Sequence, residues 1–257
     1  MRISVLTLFP EMFEGFTTNS IIKRALGKGV ASFEAIQIRD YTLDKYGRTD
    51  TPPIGGGAGL VQKAQPIVDA IKANKKPNTH VILMSPRGRT FDQKMAKSFA
   101  NLEDLMIVCG HYEGIDERVN DYVDELVSIG DYILTGGEIP AMAIADSVIR
   151  LLDGAITRDS LEEESFDNNL LEYPQYTEPY DYQGATVPPI LYSGNHGAIA
   201  KWRRKQSLLL TRMHRPDLFE KLVLSKQDRK LLEEADSGET PKWESDAIEK
   251  GKKFMHD

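Results

Sequence analysis

Residues 80–109 read HVILMSPRGRTFDQKMAKSFANLEDLMIVC, and this stretch is the strongest indicator of the fold. Residues 80–85 and 105–109 are short apolar runs with β-branched side chains, which is typical of buried parallel strands. Residues 91–99 between them have helical spacing. A strand, a helix and a second strand in this order predict a parallel sheet with crossover helices.

The same alternation continues on both sides of this stretch. Further strands are predicted at residues 2–9, 32–38, 126–129 and 132–134, and helices at 20–28, 65–74 and 138–152. The last of these helices carries one broad apolar face, as a helix packed on a core does. The predicted fold class is therefore α/β with a parallel sheet.

The composition and the periodicity of the sequence change after residue 154. Residues 155–193 are rich in acids, Tyr and Pro and show little periodicity, which is typical of a functional or disordered connection. Helices are predicted again at residues 198–212, 217–222, 225–235 and 242–254. We therefore expect an α/β domain at 1–155, a linker at 156–194 and a small helical domain at 195–257.

Composition limits the class of protein. The 257 residues are 40% hydrophobic and 28% charged, with a formal net charge of −7, which is an ordinary globular composition. The single cysteine, Cys109, excludes an intramolecular disulfide and fits a reducing compartment. No Cys/His cluster has zinc-site spacing, so no metal ligand is assigned. No apolar run approaches the roughly 20 residues that span a bilayer, and residues 2–9 predict a buried strand instead of a signal peptide. We expect a cytoplasmic protein without membrane attachment.

Positive charge is concentrated near residue 205. Residues 201–215 contain six Lys or Arg and no Asp or Glu. On an otherwise acidic protein, such a stripe suits selective RNA contact better than nonspecific coating. The cations are predicted to contact phosphates: Lys201, Arg203, Arg204, Lys205, Arg212 and Arg215. Trp202 is predicted to pack in the core, and Asn195 to cap the basic helix.

Three predicted strands end in loops that contain glycine. These loops lie at residues 85–88, 109–118 and 128–138. Parallel α/β folds bind ligands at the carboxyl ends of their strands, so the three loops are predicted to form one pocket. Backbone donors there suit an adenine edge and a ribose, with Ile129, Tyr132 and Leu134 packing on the ring. The alternative is that each glycine serves a turn and each charge is solvated.

A fourth glycine-rich segment, GGGAG at residues 55–59, is neither a P-loop nor a dinucleotide fingerprint. No Gly-Lys-Ser/Thr follows it, and no strand-to-helix G-x-G-x-x-G pattern is present. Three consecutive glycines allow positive φ and a close approach of the backbone to a ligand. The alternative interpretation is a flexible loop.

Six segments together resemble one known family. They are LTLFPEMF (6–13), GGGAGL (55–60), GHYEGIDER (110–118), SIGDYILTGGEIPA (128–141), LYSGNH (191–196) and WRRKQSL (202–208). The collinear set is similar to the bacterial tRNA (guanine-N1)-methyltransferases of the SPOUT class, and the resemblance extends from residue 6 to about residue 215.

The resemblance implies a fold, a donor and a substrate. It implies a deep trefoil knot in the C-terminal half of the α/β domain, an exception to the rule that chains avoid knots. It also implies S-adenosylmethionine as methyl donor, a homodimer with active sites at the interface, and the anticodon arm of tRNA held by the helical domain. The implied target is the guanine at position 37. The implied cofactor contacts are Met84, Ser85, Pro86, Gly88, Gly110, Ile129, Gly130, Asp131, Tyr132, Ile133, Leu134, Gly136, Gly137 and Pro140.

The resemblance also assigns a catalytic pair. Guanine N1 carries a proton, so methylation requires a base for that proton and a cation for the charge that moves onto O6. By motif, Glu164 is the base and Arg150 the cation. The family usually has Asp at the position of Glu164, and the segment between the two residues is one residue shorter here. The neighbouring acids Glu162, Glu163 and Asp167 are alternative bases. Magnesium is implicated in the family reaction, although no ligand cluster here predicts it.

The residues matched to tRNA contacts lie in several segments: Asp50, Glu172, Asn195, His196 and Arg203. Asp50 stands where the family carries an aspartate pair, and the second position is Thr51 here. Glu178 stands where the family generally has an arginine; if that arginine contacts RNA in the family, the contact is lost or replaced here. For any single linker acid, the alternative is a solvated acidic loop.

Two rival functions remain at this point. A methyltransferase of the same class could act on ribose or ribosomal RNA, which needs a base for a hydroxyl and not a pair at a lactam. A noncatalytic RNA-binding module could use the acidic linker to dock proteins. A nucleotide-dependent enzyme built on the glycine loop is disfavoured, because the Lys and Ser/Thr of a P-loop are missing.

Overall fold

The computed structural model describes residues 1–157, 165–166 and 169–255. The chain packs as two compact units, Met1–Leu161 and Glu162–Asp257. Among the described residues, no helix is both long enough and apolar enough to cross a lipid bilayer.

The first unit is built on a parallel sheet. Its strands are β1 (Arg2–Thr7), β2 (Ser32–Gln37), β3 (Asp50–Thr51), β4 (Val61–Gln62), β5 (Thr79–Thr90), β6 (Asp104–Val108) and β7 (Glu125–Ser128). Five of them form one sheet in the order β2–β1–β6–β5–β7, and every neighbouring pair is parallel. The strands β3 and β4 form a separate antiparallel hairpin. The prediction of an α/β fold with a parallel sheet is confirmed.

Helices cover both faces of this sheet. They are α1 (Glu14–Thr17), α2 (Ser20–Gly27), α3 (Ala64–Asn74), α4 (Gln93–Ala100) and α5 (Glu138–Ile149). Ile107 of β6 packs in one buried cluster with Ile144 of α5, whereas its neighbour Met106 packs in the other with Ile67 of α3. Alternate side chains of one strand therefore enter two different cores. Burial on both faces explains why the central strands are continuous apolar runs.

The predicted strand at residues 132–134 is wrong. The Ser128 hydroxyl donates to the Gly130 carbonyl at 3.1 Å, and the Gly130 N–H donates to Ser128 Oγ at 3.2 Å. Gly130 itself has a φ of 146°. This turn ends β7, because positive φ at that point takes the chain out of the sheet. Tyr132 and Ile133 then lie exposed, at 55% and 80% of their accessible surface. The apolar run is therefore a loop at the edge of the sheet.

The strand β5 is longer than predicted. Met84 and Arg89 both pair with Val127 of β7, so residues 85–88 form an irregular excursion within one strand. Gly88 allows the strand to return, because a Cβ at that position would lie 2.4 Å from the backbone nitrogen of Val127. Only glycine permits so close an approach of two backbones.

The second unit consists of a short hairpin and four described helices. The hairpin pairs β8 (Asp181–Tyr182) with β9 (Ala185–Thr186). The helices are α6 (His196–His214), α7 (Pro216–Phe219), α8 (Lys226–Asp236) and α9 (Lys242–Lys252). Leu208 of α6 packs with Leu231 and Leu232 of α8 in one core. Trp202 is 6% exposed in a second core, which confirms its predicted packing role. The predicted cap is also confirmed, since Asn195 Oδ1 accepts from the Ala198 N–H at 3.2 Å.

One carboxylate ties α8 to α6. Asp228 Oδ1 and Oδ2 accept from the Arg204 guanidinium at 2.8 and 3.0 Å, and Oδ2 also accepts from the Ser225 N–H at 3.0 Å. Arg204 is the main cause that lowers the pKa of Asp228 to about 2, with the Ser225 hydrogen bonds adding to it. Ser225 in turn caps α8, so the group serves both helices.

We expect Asp228→Asn to destabilise the second unit at neutral pH by about 1 kcal/mol, the size of a helix-cap loss. Because the folded pKa lies below the ordinary 3.8, the charge stabilises the fold above that value and stops doing so as the pH falls towards 2. The variant should therefore differ from wild type at pH 7 and converge with it near pH 2. Urea unfolding followed by the fluorescence of Trp202 and Trp243, both in this unit, measures the difference.

Asp236→Asn is the matched control for this prediction. Asp236 also pairs with an arginine of α6, Arg212, at 2.7 Å, but the Asp236 side chain is 59% exposed. Exposed pairs of this kind contribute little to stability. An equal loss in both variants would contradict the role given to the buried cap.

Candidate functional site

The three glycine-containing loops meet at one cavity. It has a volume of about 520 Å³ and lies between the excursion of β5 at residues 85–88 and the carboxyl ends of β6 and β7. This is the edge at which parallel α/β folds bind ligands. Twelve of the fourteen residues matched to cofactor contacts line it: Met84, Ser85, Pro86, Gly110, Ile129, Gly130, Tyr132, Ile133, Leu134, Gly136, Gly137 and Pro140.

The other two matched residues do not line the cavity. Gly88 packs against the backbone of β7, where any side chain would collide with Val127. Its glycine is therefore explained by strand packing. Asp131 is exposed in the loop that follows β7.

Several lining residues were not singled out from the sequence. They are Arg87, His111, Tyr112, Glu113, Gly114, Ile115, Glu117, Asn120 and Thr135. Most belong to the loop at residues 109–118, in which the family resemblance implies Gly110 alone as a cofactor contact. Arg87 and Glu117 form an ion pair of 2.8 Å at the cavity wall. The signal that could have found this pair is opposite charge in two loops that meet at one sheet edge.

Two consecutive glycines let the loop after β7 lie directly on the loop after β6. The Gly137 N–H donates to the Gly110 carbonyl at 2.8 Å. A Cβ on Gly137 would lie 2.8 Å from Cys109 Cα, and one on Gly136 would lie 2.4 Å from the Glu138 carboxylate. Contacts under 3.0 Å leave no room for a methyl group. Gly137 meets backbone atoms and is thus required for the floor of the cavity to close, whereas at Gly136 the Glu138 and His111 side chains would have to shift.

Beneath this floor lies a buried carboxylate. Glu138 is 1% exposed, and its Oε1 accepts from the Thr7 hydroxyl at 2.7 Å. Its Oε2 lies 3.5 Å from His111 Nε2. Glu138 is also the first residue of α5, where the helix dipole favours negative charge. Burial, and secondarily the Glu138 charge, raise the pKa of the Cys109 thiol well above its ordinary value, so Cys109 is unsuited to nucleophilic chemistry.

The hairpin that carries the glycine-rich loop is bonded to the cavity wall. The side-chain oxygen Oε1 of Gln62 in β4 accepts from the His111 backbone N–H at 2.9 Å, and the Gln62 backbone N–H donates to the Gly114 carbonyl at 2.9 Å. In β3 of the same hairpin, the Asp50 carboxylate lies near the Tyr112 hydroxyl, and after the larger effect of burial its proximity raises the pKa of Tyr112. Asp50, one of the residues matched to RNA contacts, is therefore adjacent to a wall residue of the cavity.

Of the catalytic pair implied by the family resemblance, the structure describes only Arg150. Arg150 is half-buried directly after α5, with its N–H donating to the Asp146 carbonyl at 3.1 Å. Glu164 lies outside the described residues, as do the alternative bases Glu162, Glu163 and Asp167. Their role as bases stays a prediction.

The remaining residues matched to tRNA contacts lie in the second unit. Glu172 Oε1 accepts from Gln175 Nε2 at 2.6 Å, and the Glu172 N–H donates to Ser165 Oγ at 3.0 Å. Asn195 caps α6, and His196 is exposed in its first turn. The Arg203 guanidinium lies 4.6 Å from the ring centroid of Tyr173.

Most cations of the basic stripe have partners within this unit. Lys205 is buried, with its ammonium 2.7 Å from Glu244, so the prediction that it contacts a phosphate is wrong. Arg204, Arg212 and Arg215 pair with Asp228, Asp236 and Asp217. The stripe is therefore far less basic than its sequence indicates, because acids from other segments neutralise it.

Comparisons with known proteins identify the family of this chain. The family model described as tRNA (Guanine-1)-methyltransferase TrmD matches residues 1–221. A protein of Clostridium botulinum (strain Langeland) named tRNA (guanine-N(1)-)-methyltransferase is 52% identical over 236 residues, which are 91% of this chain and 98% of that protein. A protein of the same name from Clostridium perfringens (strain 13) is 53% identical over 234 residues, 90% of this chain and 99% of its own length. With a family model over most of its length and relatives of this similarity, the chain belongs to the tRNA (guanine-N1)-methyltransferase family.

Proposed function

We propose that this protein transfers a methyl group from S-adenosylmethionine to N1 of the guanine at position 37 of tRNA, beside the anticodon. The observation that carries the proposal is the cavity formed by three strand-end loops in a chain of this family. Membership in a methyltransferase family implies S-adenosylmethionine as donor in general.

The cavity residues fit this donor. A volume of about 520 Å³ lies in the range of about 300–1,000 Å³ typical of small-molecule sites. The glycine floor leaves backbone groups accessible for an adenine and a ribose. Tyr132, Ile129 and Leu134 supply apolar surface. When bound, S-adenosylmethionine supplies an electrophilic methyl group on its sulfonium sulfur.

The chain's own contribution to the reaction is proton removal and charge stabilisation. In the proposal, the Glu164 carboxylate accepts the proton from guanine N1. The freed electron pair would form the bond between N1 and the methyl carbon while the methyl–sulfur bond breaks and S-adenosylhomocysteine leaves. The Arg150 guanidinium stabilises the negative charge that moves onto O6 as the proton leaves. Among the described residues, no group of three or more His, Cys, Asp or Glu fits a metal ion, so no step is assigned to Mg²⁺.

We also propose a knotted fold, a homodimer, the tRNA anticodon arm as partner, and a cytoplasmic location. The deep knot is proposed because the chain belongs to this family, whose members the resemblance describes as knotted. A homodimer with shared active sites is supported by apolar surface beside the cavity: Tyr132, Ile133 and Ile139 are 55%, 80% and 52% exposed. The helices after residue 195 and the linker at 156–194 are assigned to the tRNA anticodon arm. The reaction is placed in the cytoplasm.

Nucleoside analysis tests the reaction. We expect 1-methylguanosine from tRNA transcripts that carry guanine at position 37, and no methylated product when another base stands there. Methyl on a 2′-oxygen would assign the chain to ribose-directed enzymes and reject the proposal. Turnover measured in a chelator tests Mg²⁺ separately.

Donor binding is tested without turnover. S-adenosylmethionine at a hundredfold above its Kd should raise the free energy of unfolding by about 2.7 kcal/mol. A thermal shift assay measures this effect. An unchanged melting temperature at that concentration would favour a noncatalytic RNA-binding module.

A further inference from the structure

An exposed tyrosine with two cations on its ring lies outside the mechanism described so far. Tyr46 is 71% exposed in the loop at residues 42–48, which reads TLDKYGR. Lys45 Nζ lies 4.7 Å and Arg48 Cζ 5.4 Å from its ring centroid. Leu43 of the same loop is 84% exposed.

The loop is held in one conformation. Asp44 Oδ1 accepts from the Tyr46 N–H at 2.8 Å, and the Asp44 carbonyl accepts from the Gly47 N–H at 2.9 Å. Arg39 donates to the Gly47 carbonyl at 2.8 Å, and Lys63 donates to the Arg48 carbonyl at 3.3 Å. Gly47 has a φ of 71°, which a side chain would oppose. The ring is thus presented by a turn that several hydrogen bonds hold in place, and such preorganisation lowers the entropy cost of binding.

The two cations are not equivalent. Asp44 accepts from the Arg48 guanidinium at 2.8 and 3.1 Å, and this hydrogen bonding lowers the pKa of the Asp44 carboxyl. Lys45 has no carboxylate partner among the residues that the structure describes. The loop therefore offers one clamped guanidinium and one ammonium available to an anion.

The position of the loop relates it to the substrate. Four residues after Tyr46 the chain reaches Asp50, whose carboxylate lies near the hydroxyl of Tyr112 in the cavity wall and contributes to its raised pKa. Unpaired RNA bases stack on aromatic side chains and on guanidinium planes, and lysines bind the adjoining phosphates. A tRNA loop offers such bases next to the target guanine.

We propose that Tyr46 is a stacking platform for an unpaired base of the tRNA substrate, with Lys45 binding an adjacent phosphate. This rests on the proposed function only in taking tRNA as the ligand. It adds an RNA contact that depends on ring stacking and not on reading the target guanine.

Binding of unmodified tRNA, measured without methyl donor, tests the platform. Tyr46→Ala and Tyr46→Leu should each weaken tRNA affinity by about 5- to 150-fold, the loss expected for one base–aromatic stack. Tyr46→Phe should bind within about twofold of wild type, because it keeps the ring. Affinity retained by Tyr46→Leu would show an apolar contact without stacking and would overturn the proposal.

Tyr122→Leu is the matched control. Tyr122 is 39% exposed in the same unit, with Lys72 Nζ 4.9 Å from its ring centroid. It should bind tRNA as wild type does. An equal loss in Tyr122→Leu and Tyr46→Leu would contradict a specific platform. Thermal shift by S-adenosylmethionine, unchanged in every variant, confirms that the fold and the cavity are intact.

Two further measurements identify the ligand. The new indole in Tyr46→Trp should be quenched when tRNA is added, relative to the signal of Trp202 and Trp243. Lys45→Ala should lower the slope of log affinity against log salt by about one. If Tyr46→Ala changes the oligomeric state in sedimentation and leaves tRNA affinity unchanged, the loop is a protein interface and the proposal fails. Because these measurements read binding alone, a failure of guanine methylation would not be mistaken for a failure of the platform.

Discussion

Glu164→Gln is expected to abolish most turnover while leaving donor and tRNA binding largely intact. An amide of nearly the same shape cannot accept the N1 proton, and general base catalysis typically contributes about 100- to 10,000-fold. The expected change is therefore a fall in kcat of at least about 100-fold. Single-turnover methylation of a tRNA transcript measures it, with the thermal shift by S-adenosylmethionine as the binding control.

The neighbouring acids provide matched controls for this variant. Glu162→Gln and Glu163→Gln make the same chemical change one or two residues earlier in the chain. Both should retain turnover within a few-fold of wild type. If the kcat of either control falls by at least about 100-fold, or if the kcat of Glu164→Gln stays near that of wild type, the base has been assigned to the wrong residue.

Arg150 is tested as the cation that stabilises the negative charge on O6 in the same step. Arg150→Ala should lower kcat more than it lowers tRNA affinity, because the charge on O6 develops only in the transition state. Equal turnover with weaker binding would make Arg150 a phosphate anchor. Turnover lost in both single variants and no further in the double variant would indicate that the two groups act as a unit.

The central sheet could be predicted because its signal is local. The runs at residues 80–85 and 105–109 are apolar on both faces, and only a strand covered by helices on both sides buries such a run. The extension of β5 to Thr90 had no such signal, since residues 85–90 read SPRGRT. It depends on pairing with β7, about forty residues later in the chain, and on Gly88 at the point of closest approach.

The basic helix α6 shows the same limit of prediction from local sequence. Lys205 lies three residues after Trp202 and three before Leu208, so its place on the buried face of α6 could have been inferred from helical spacing. Its partner Glu244 comes from α9, 39 residues later, and no local pattern indicates it. Charge counted along a sequence therefore overestimates charge on a surface whenever a distant acid returns to pair with it.

The cavity itself was within reach of sequence reasoning, but its floor was not. Glycine after each of three strands indicated that the loops meet. What the glycines avoid became clear only from distances: Gly136 avoids Glu138 and His111, and Gly137 avoids the backbone of Cys109. The contacts with His111 and Cys109 join loops that are about 25 residues apart in the sequence.

Gly137→Ala should consequently damage both stability and donor binding. The added methyl carbon would lie 2.8 Å from Cys109 Cα and 2.9 Å from the Gly110 nitrogen, and both are backbone atoms that cannot rotate away. Inserting a methyl into a close-packed site costs about 1–3 kcal/mol. If the strain is relieved by moving the turn off Gly110, the cavity floor opens, and each 1.4 kcal/mol lost from binding weakens donor affinity about tenfold.

Gly27→Ala is the control that isolates this steric argument. Gly27 ends α2, and a Cβ there would meet no atom within 4 Å. Alanine at such a helical site should be neutral or stabilise the fold by up to about 1 kcal/mol, because glycine loses more backbone entropy on folding. Urea unfolding and titration with S-adenosylmethionine measure both variants. Wild-type stability together with wild-type affinity in Gly137→Ala would mean that the two loops separate at no cost, and the close contact could then not be what shapes the donor cavity.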